Sequence, residues 1–250
     1  MPKTRELLYL SFLEEENKVL SYGIEFNEFM NCIEDRPKNI LILEGDYWGS
    51  AFDFTTRCHI CVEDDIEEFI AEEVYNYGDF CWIDFSDVKG LRSMTRLEAA
   101  ELIYLGKLQQ PVQSPFFEKL NNRFVYLAHD DGWNNIIYYR DIQEYRDVLN
   151  RLICNKIKKV HGKVVNLLGD DLIVELVELS KSGLAIDFDR LLEDEEEGSF
   201  EVSMYGLGTM TDMDAMYEDY EKYKAKAYHN KSLEYIDNTW FLRDWTNDTQ

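Results

Sequence analysis

The chain has 250 residues, enough to bury a sizeable core, and its 45% hydrophobic and 14% aromatic content marks a folded globule rather than a disordered chain. Asp and Glu number 50 against 26 Lys and Arg, for a formal net charge of -24. That charge repels nucleic-acid phosphates and anionic membrane surfaces, so neither is expected as a direct partner, and a basic protein is favoured instead.

No run of about eighteen apolar residues occurs, so no membrane span is expected. The opening stretch MPKTRELLYLSFLEEENK meets acid soon after its apolar run and lacks a small-residue cleavage site. It does not read as a secretory signal, and a cytoplasmic location is expected. Five cysteines, an odd number, make no disulfide framework.

In chain order, Arg5 to Leu13 and Val19 to Ile24 are apolar runs on either side of Glu14-Glu15-Glu16 and predict a β-hairpin. Phe26, Phe29, Met30 and Ile33 recur at helical spacing, and Pro37 stops that helix. Asn39 to Leu43 and Ala51 to Val62 read as strands around a turn carrying Trp48. Asp64 and Glu67 predict a capped helix with Ile66, Phe69, Ile70, Val74 and Tyr77 on its apolar stripe. Phe80 to Phe85 returns to strand. Thr95-x-x-Glu98 predicts a capping box for a helix that buries Leu97, Ala100, Ile103 and Tyr104 and ends near Gly106.

Asn122 to Tyr139 then reads as strand, polar turn, strand. Asp141-x-x-Glu144 resembles another capping box, opening a helix that buries Ile142, Tyr145, Leu149, Leu152 and Ile153. Leu172 to Leu179 predicts a helix. Ala185 to Phe188 and Phe200 to Tyr205 predict strands around an acidic loop. Thr211 to Ala227 predicts one helix with Met213, Met216, Tyr217, Tyr220 and Tyr223 on one face. The tail from Asn230 carries Trp240 and Trp245, which predicts that it packs back on the body.

Together these elements predict an α+β fold: a mostly antiparallel sheet with packed helices, in a single domain over residues 1–250, with a weak boundary near 160–165.

No catalytic or cofactor signature stands out. His129, Asp130 and Asp131 at the central turn could form a general base with a carboxylate partner, or part of a metal site. The plainer reading is a polar hairpin tip whose Asp side chains close the turn. Cys58-His59-Ile60-Cys61 supplies only half of a zinc site. On a strand its two cysteines point to opposite faces, so no metal and no cofactor is expected. Gly206-Leu207-Gly208 lacks the remaining features of a phosphate loop and reads as a turn.

The least ordinary stretch runs from Gly183 to Glu221. It holds thirteen acidic residues, among them Glu193, Asp194, Glu195, Glu196 and Glu197, against the single basic Arg190. It is either a docking surface for a cationic partner or a solubilising loop with a polar helix face. Arg151, Lys156, Lys158, Lys159 and Lys163 form a basic counterpart at a helix end, which could pair with it.

The expected function is therefore that of a soluble acidic protein that binds a basic protein, as an inhibitor, an immunity-type protein or a regulator. Glu193 to Glu197 would steer the partner, with Trp48, Trp133 and Tyr205 as apolar anchors. The alternatives are a hydrolase or metal-dependent enzyme centred on His129, Asp130 and Asp131, and a nucleic-acid charge mimic that blocks a nucleic-acid-binding protein.

Overall fold

The computed structural model describes residues 6–45, 56–71, 80–129, 133–194, 198–210 and 212–244. The fold is α+β, with antiparallel strand pairs and helices packed against them. Contacts gather the chain into two compact units. One comprises Met1–Glu14, Leu20–Gly23 and Arg146–Gln250, and the other Glu15–Val19 and Ile24–Tyr145. Two elements, β2 (Lys18–Tyr22) and α5 (Ile142–His161), have residues in both.

In the unit centred on residues 24–145, the strands are β3 (Asn39–Gly45), β4 (Thr56–Val62), β5 (Phe80–Phe85), β6 (Phe124–His129) and β7 (Asn134–Tyr139), in the order β7-β6-β5-β3-β4. β5 and β6 are apolar on both faces, so both faces of this sheet need cover. One face is aromatic. Phe80, Trp82, Phe124, Tyr126 and Tyr139 meet Phe26 and Phe29 of α1 (Phe26–Cys32), mostly edge to face with centroids 5.2–6.4 Å apart. The other face is chiefly aliphatic: Leu41, Leu43, Ile83, Val125 and Leu127 pack with Leu102, Leu105, Phe117 and Leu120.

Leu102 and Leu105 belong to α4 (Arg96–Leu108), which follows the short α3 (Val88–Arg92). The Thr95–Glu98 capping box forms as expected. The expected buried face does not. Leu97 is 69% exposed, Ile103 42% and Tyr104 37%, while Leu102, Leu105 and Gly106 face the sheet. The reason lies in Gly106, which sits inside the helix rather than at its end. A Cβ there would stand 2.7 Å from the Leu43 Cβ, so α4 approaches β3 along its glycine and turns the other apolar residues outward. The helix stops instead at Gln109, in the left-handed region at φ 56°. Near β4, Glu63–Asp65 form a 3-10 turn and α2 begins at Ile66 (Ile66–Ala71), so Asp64 lies within the entry turn rather than at the cap.

The other unit holds β1 (Leu7–Leu13), β8 (Leu184–Asp194), β9 (Ser199–Gly206), β10 (Asn230–Ile236) and β11 (Thr239–Asp244), in the order β11-β10-β9-β8-β1. Leu7 to Leu10 are wholly buried. Register defines two faces. Leu191, Val202, Leu233 and Leu242 share one with Phe200, Tyr235 and Trp240. That face meets the segment after α5: Trp240 Nε1 donates to the Asn166 carbonyl at 2.8 Å, and the Asn166 N–H donates to the Tyr235 hydroxyl at 3.2 Å. α6 (Asp170–Ser180) lies against β1 and β11. Trp240 is thus buried as expected for a tail that packs back, whereas Trp245 lies outside the described residues.

The stretch expected as one helix over 211–227 is two: α7 (Met213–Glu218) and α8 (Tyr220–Lys224). Asp219 leaves the helical region (φ -99°, ψ 23°) between them, and its carbonyl restarts the ladder by accepting from Lys222 and Tyr223. The break lets Tyr217 stack on Tyr22 at 4.9 Å while Tyr220 meets Tyr205.

Candidate functional site

The acidic stretch is a hairpin rather than a free loop. β8 extends through Glu193 and Asp194, which pair with Phe200 and Ser199 of β9. Glu195, Glu196 and Glu197 lie outside the described residues, and Gly198 follows at φ 65°. Because side chains alternate along a strand, the acids are divided between faces. Glu193 shares the face of Phe200, where Lys163 Nζ stands 3.1 Å from its carboxylate and 5.5 Å from the Phe200 ring centroid. The basic segment after α5 thus meets the acidic stretch within the same chain. Lys156, of the same cluster, is buried, 3.5 Å from Glu6. Asp194 points to the other face and is exposed.

The expected anchors separate. Tyr205 is only 4% exposed, with Lys224 Nζ 4.7 Å above its ring and Tyr220 against it. It is a core side chain and offers no surface ring, because α8 covers its face of β9. Trp133 is half-buried beside β7, and Trp48 lies outside the described residues. Exposed carboxylates also line α7 and α8: Asp212, Asp214, Glu218, Asp219 and Glu221.

His129 closes β6 opposite Asn134 and is half-buried, while Asp130 and Asp131 lie outside the described residues. Cys58 is exposed and Cys61 buried, as alternation along β4 requires. Among the described residues no group of three or more His, Cys, Asp or Glu is placed to hold a metal ion.

A polar cluster that the sequence reading did not single out stands at the β5–β6 end of the aromatic face. Asp84, 4% exposed, ends the β5–β6 ladder: its Oδ1 accepts from the Arg123 and Phe124 N–H groups, each at 2.8 Å. The Arg123 guanidinium donates to Glu144 Oε1 at 3.3 Å and to the Asp35 carbonyl, and its Nε stands 3.6 Å from Asp84 Oδ2. Glu144, in the first turn of α5, turns to Arg123, and its Oε2 is buried without a hydrogen-bond partner. Asp141 caps that helix alone, accepting from the Gln143 N–H at 2.9 Å.

Burial pushes the Glu144 carboxyl up to about 7; Arg123 opposes this, and Asp84 and Asp141 add to it. Burial also raises Asp84, against its hydrogen bonds from Phe124 and Arg123. Glu144 therefore holds its proton to a higher pH than an ordinary carboxyl. One signal was present in the sequence: Asp84 is the lone charge in the apolar strand FCWIDF, and a buried charge demands a partner.

No family model, no curated protein and no solved structure matches the chain.

Proposed function

We propose that the protein is a cytoplasmic acidic binding protein that docks a basic protein, as an inhibitor, an immunity-type protein or a regulator. The observation that carries this reading is the β8–β9 hairpin, which holds Glu193 and Asp194 exposed at its end in a chain of net charge -24. The exposed acids of α7 and α8 add to the same field. Such a field steers a cationic partner, whereas single exposed ion pairs add only about 0–1 kcal/mol each. Affinity then comes from apolar contacts beside the charge.

The test is surface-plasmon kinetics of the full chain against a panel of folded basic proteins. Association should slow as salt shortens the Debye length from about 30 to about 8 Å. Neutralising Glu193 through Glu197 with Gln and Asn should lower the low-salt association rate several-fold and leave the thermal midpoint in place. An association rate indifferent to both salt and substitution would reduce the acidic run to a solubilising segment. Release of a captured protein by DNA as well as by salt would mark the partner as a nucleic-acid-binding protein.

A further inference from the structure

The helix α4 is apolar on more than the side it buries. Leu102, Leu105 and Gly106 meet the sheet, while Leu97, Ala100, Ile103, Tyr104 and Leu108 are exposed. A helix that is apolar all round is ordinarily covered all round. The sequence of the outward side says what can cover it.

Leu97 and Tyr104 stand two turns apart, roughly 10 Å, with Ala100 between them and Lys107 at the end of the row. In the seven-residue repeat of paired helices these are the inner positions. Arg96 and Ile103 flank the row on one side, Glu101 and Leu108 on the other.

When two such helices run parallel, a residue of one flank meets the opposite flank of the neighbouring helix five positions further on. Arg96 then falls on Glu101, and Ile103 on Leu108, each twice over by symmetry. Leu97 meets its own copy across the axis, as does Tyr104, and the small Ala100 lets the backbones close. An antiparallel pair would set like flanks together, the Arg96 side against itself and the Glu101 side against itself.

Charge also selects the occupant. Between Asp87 and Lys107 four bases, Lys89, Arg92, Arg96 and Lys107, stand against three acids, Asp87, Glu98 and Glu101, in a chain of net charge -24. An acidic face would repel its own copy, whereas this near-neutral one does not, and it offers a basic protein no attracting field.

We infer that the outward side of α4 is a two-fold contact with a second copy of this chain, the two helices running parallel. The contact is separate from the acidic docking surface and does not depend on it. One helix face per copy lies at the small end of specific interfaces, so the dissociation constant is on the order of 10 µM.

The test is sedimentation equilibrium of the full chain in salt of physiological strength, where a Debye length of about 8 Å screens the acidic remainder of both copies. The mass should rise from 29.6 kDa toward twice that value as the concentration goes from about 1 to about 100 µM. Leu97→Glu with Tyr104→Glu should hold the protein at the mass of one chain throughout. Both residues are exposed, so an unchanged thermal midpoint at the lowest concentration confirms that the variant folds. Arg96→Glu alone and Glu101→Arg alone should each weaken association about tenfold, because like charges then meet at both pairs. Mixing these two variants should restore it, since each supplies the charge the other lacks. A chain that stays monomeric at about 100 µM overturns the contact, as does a dimer indifferent to the two added glutamates. Variants that associate no better mixed than apart overturn the parallel pairing.

Discussion

Replacing Glu144 by glutamine isolates the proton held beside Arg123. The Glu144 carboxyl sits at about 7 in the folded protein against an ordinary 4.5. The raised value means that, between those limits, the folded protein keeps a proton that the unfolded chain has released. Stability from this group is therefore full at low pH, falls as pH rises through the window, and levels off above about 7. Each pH unit costs at most about 1.4 kcal/mol. With Glu144 23% exposed and paired with Arg123, screening brings the whole effect to about 1–3 kcal/mol. Glutamine fills the same space and does not ionise. Urea unfolding of parent and Glu144→Gln from pH 5 to pH 8.5 should give a stability difference that moves in the variant's favour by that amount as pH rises. Taking the difference cancels every other titrating group. Glu98 is the control of opposite sign. Lys119 holds its carboxyl at about 2, so its contribution is present above pH 4.5 and lost only in acid, and Glu98→Gln should leave the curve flat over the same range. A Glu144→Gln difference constant from pH 5 to 8.5 would show that Glu144 ionises as an ordinary surface acid and would refute the argument.

Removing the cation instead should be harsher: Arg123→Ala leaves the buried Asp84 without its guanidinium and should cost about 2–4 kcal/mol by the same assay, with a milder loss for the double variant carrying Asp84→Asn. Gly106→Ala should destabilise by about 1–3 kcal/mol despite alanine's better helix propensity, since its Cβ meets Leu43, and a raised thermal midpoint would contradict the close α4–β3 approach. Asn238→Gly should raise stability by roughly 0.5 kcal/mol, because Asp237 and Asn238 both hold positive φ in the turn between β10 and β11. Among the cysteines, Cys58 should alkylate first, with Cys81, fully buried, modified only on unfolding; mass spectrometry of a timed maleimide reaction would show the order.

Most strands were legible because their apolar runs are short, β-branched or aromatic, and bounded by polar turns. The Phe124–His129 and Asn134–Tyr139 pair falls within the Asn122–Tyr139 stretch that reads as strand, turn and strand. The helix α4 was legible in extent but not in orientation. Leu97, Ala100, Ile103 and Tyr104 make a good apolar stripe, yet a glycine decided which side could touch the sheet, and periodicity weights a missing side chain as nothing. The closing hairpin was missed because Asp237-Asn238 lacks the glycine that usually marks a two-residue turn. Tyr205 was misjudged because the acids around it suggested surface, whereas α8 covers it. The Asp84–Arg123–Glu144 cluster was beyond reach for another reason. Its members stand 39 and 21 positions apart in the chain, and only the strand ends and the start of α5 bring them together.

The unlike faces of the β7-β6-β5-β3-β4 sheet bear on how this chain can drift. Leucine, isoleucine and valine on the α4 side exchange at modest cost whenever total volume is kept. Rings on the α1 side are held edge to face by their quadrupoles, and an aliphatic replacement loses both the geometry and the area. Substitutions accumulating at equal rates in the genetic message should therefore survive mainly on one side. In distant descendants of this chain, α4 and its floor would differ freely while Phe26, Phe29, Trp82, Phe124 and Tyr126 remain, so the ring pattern is the feature by which such kin would be found.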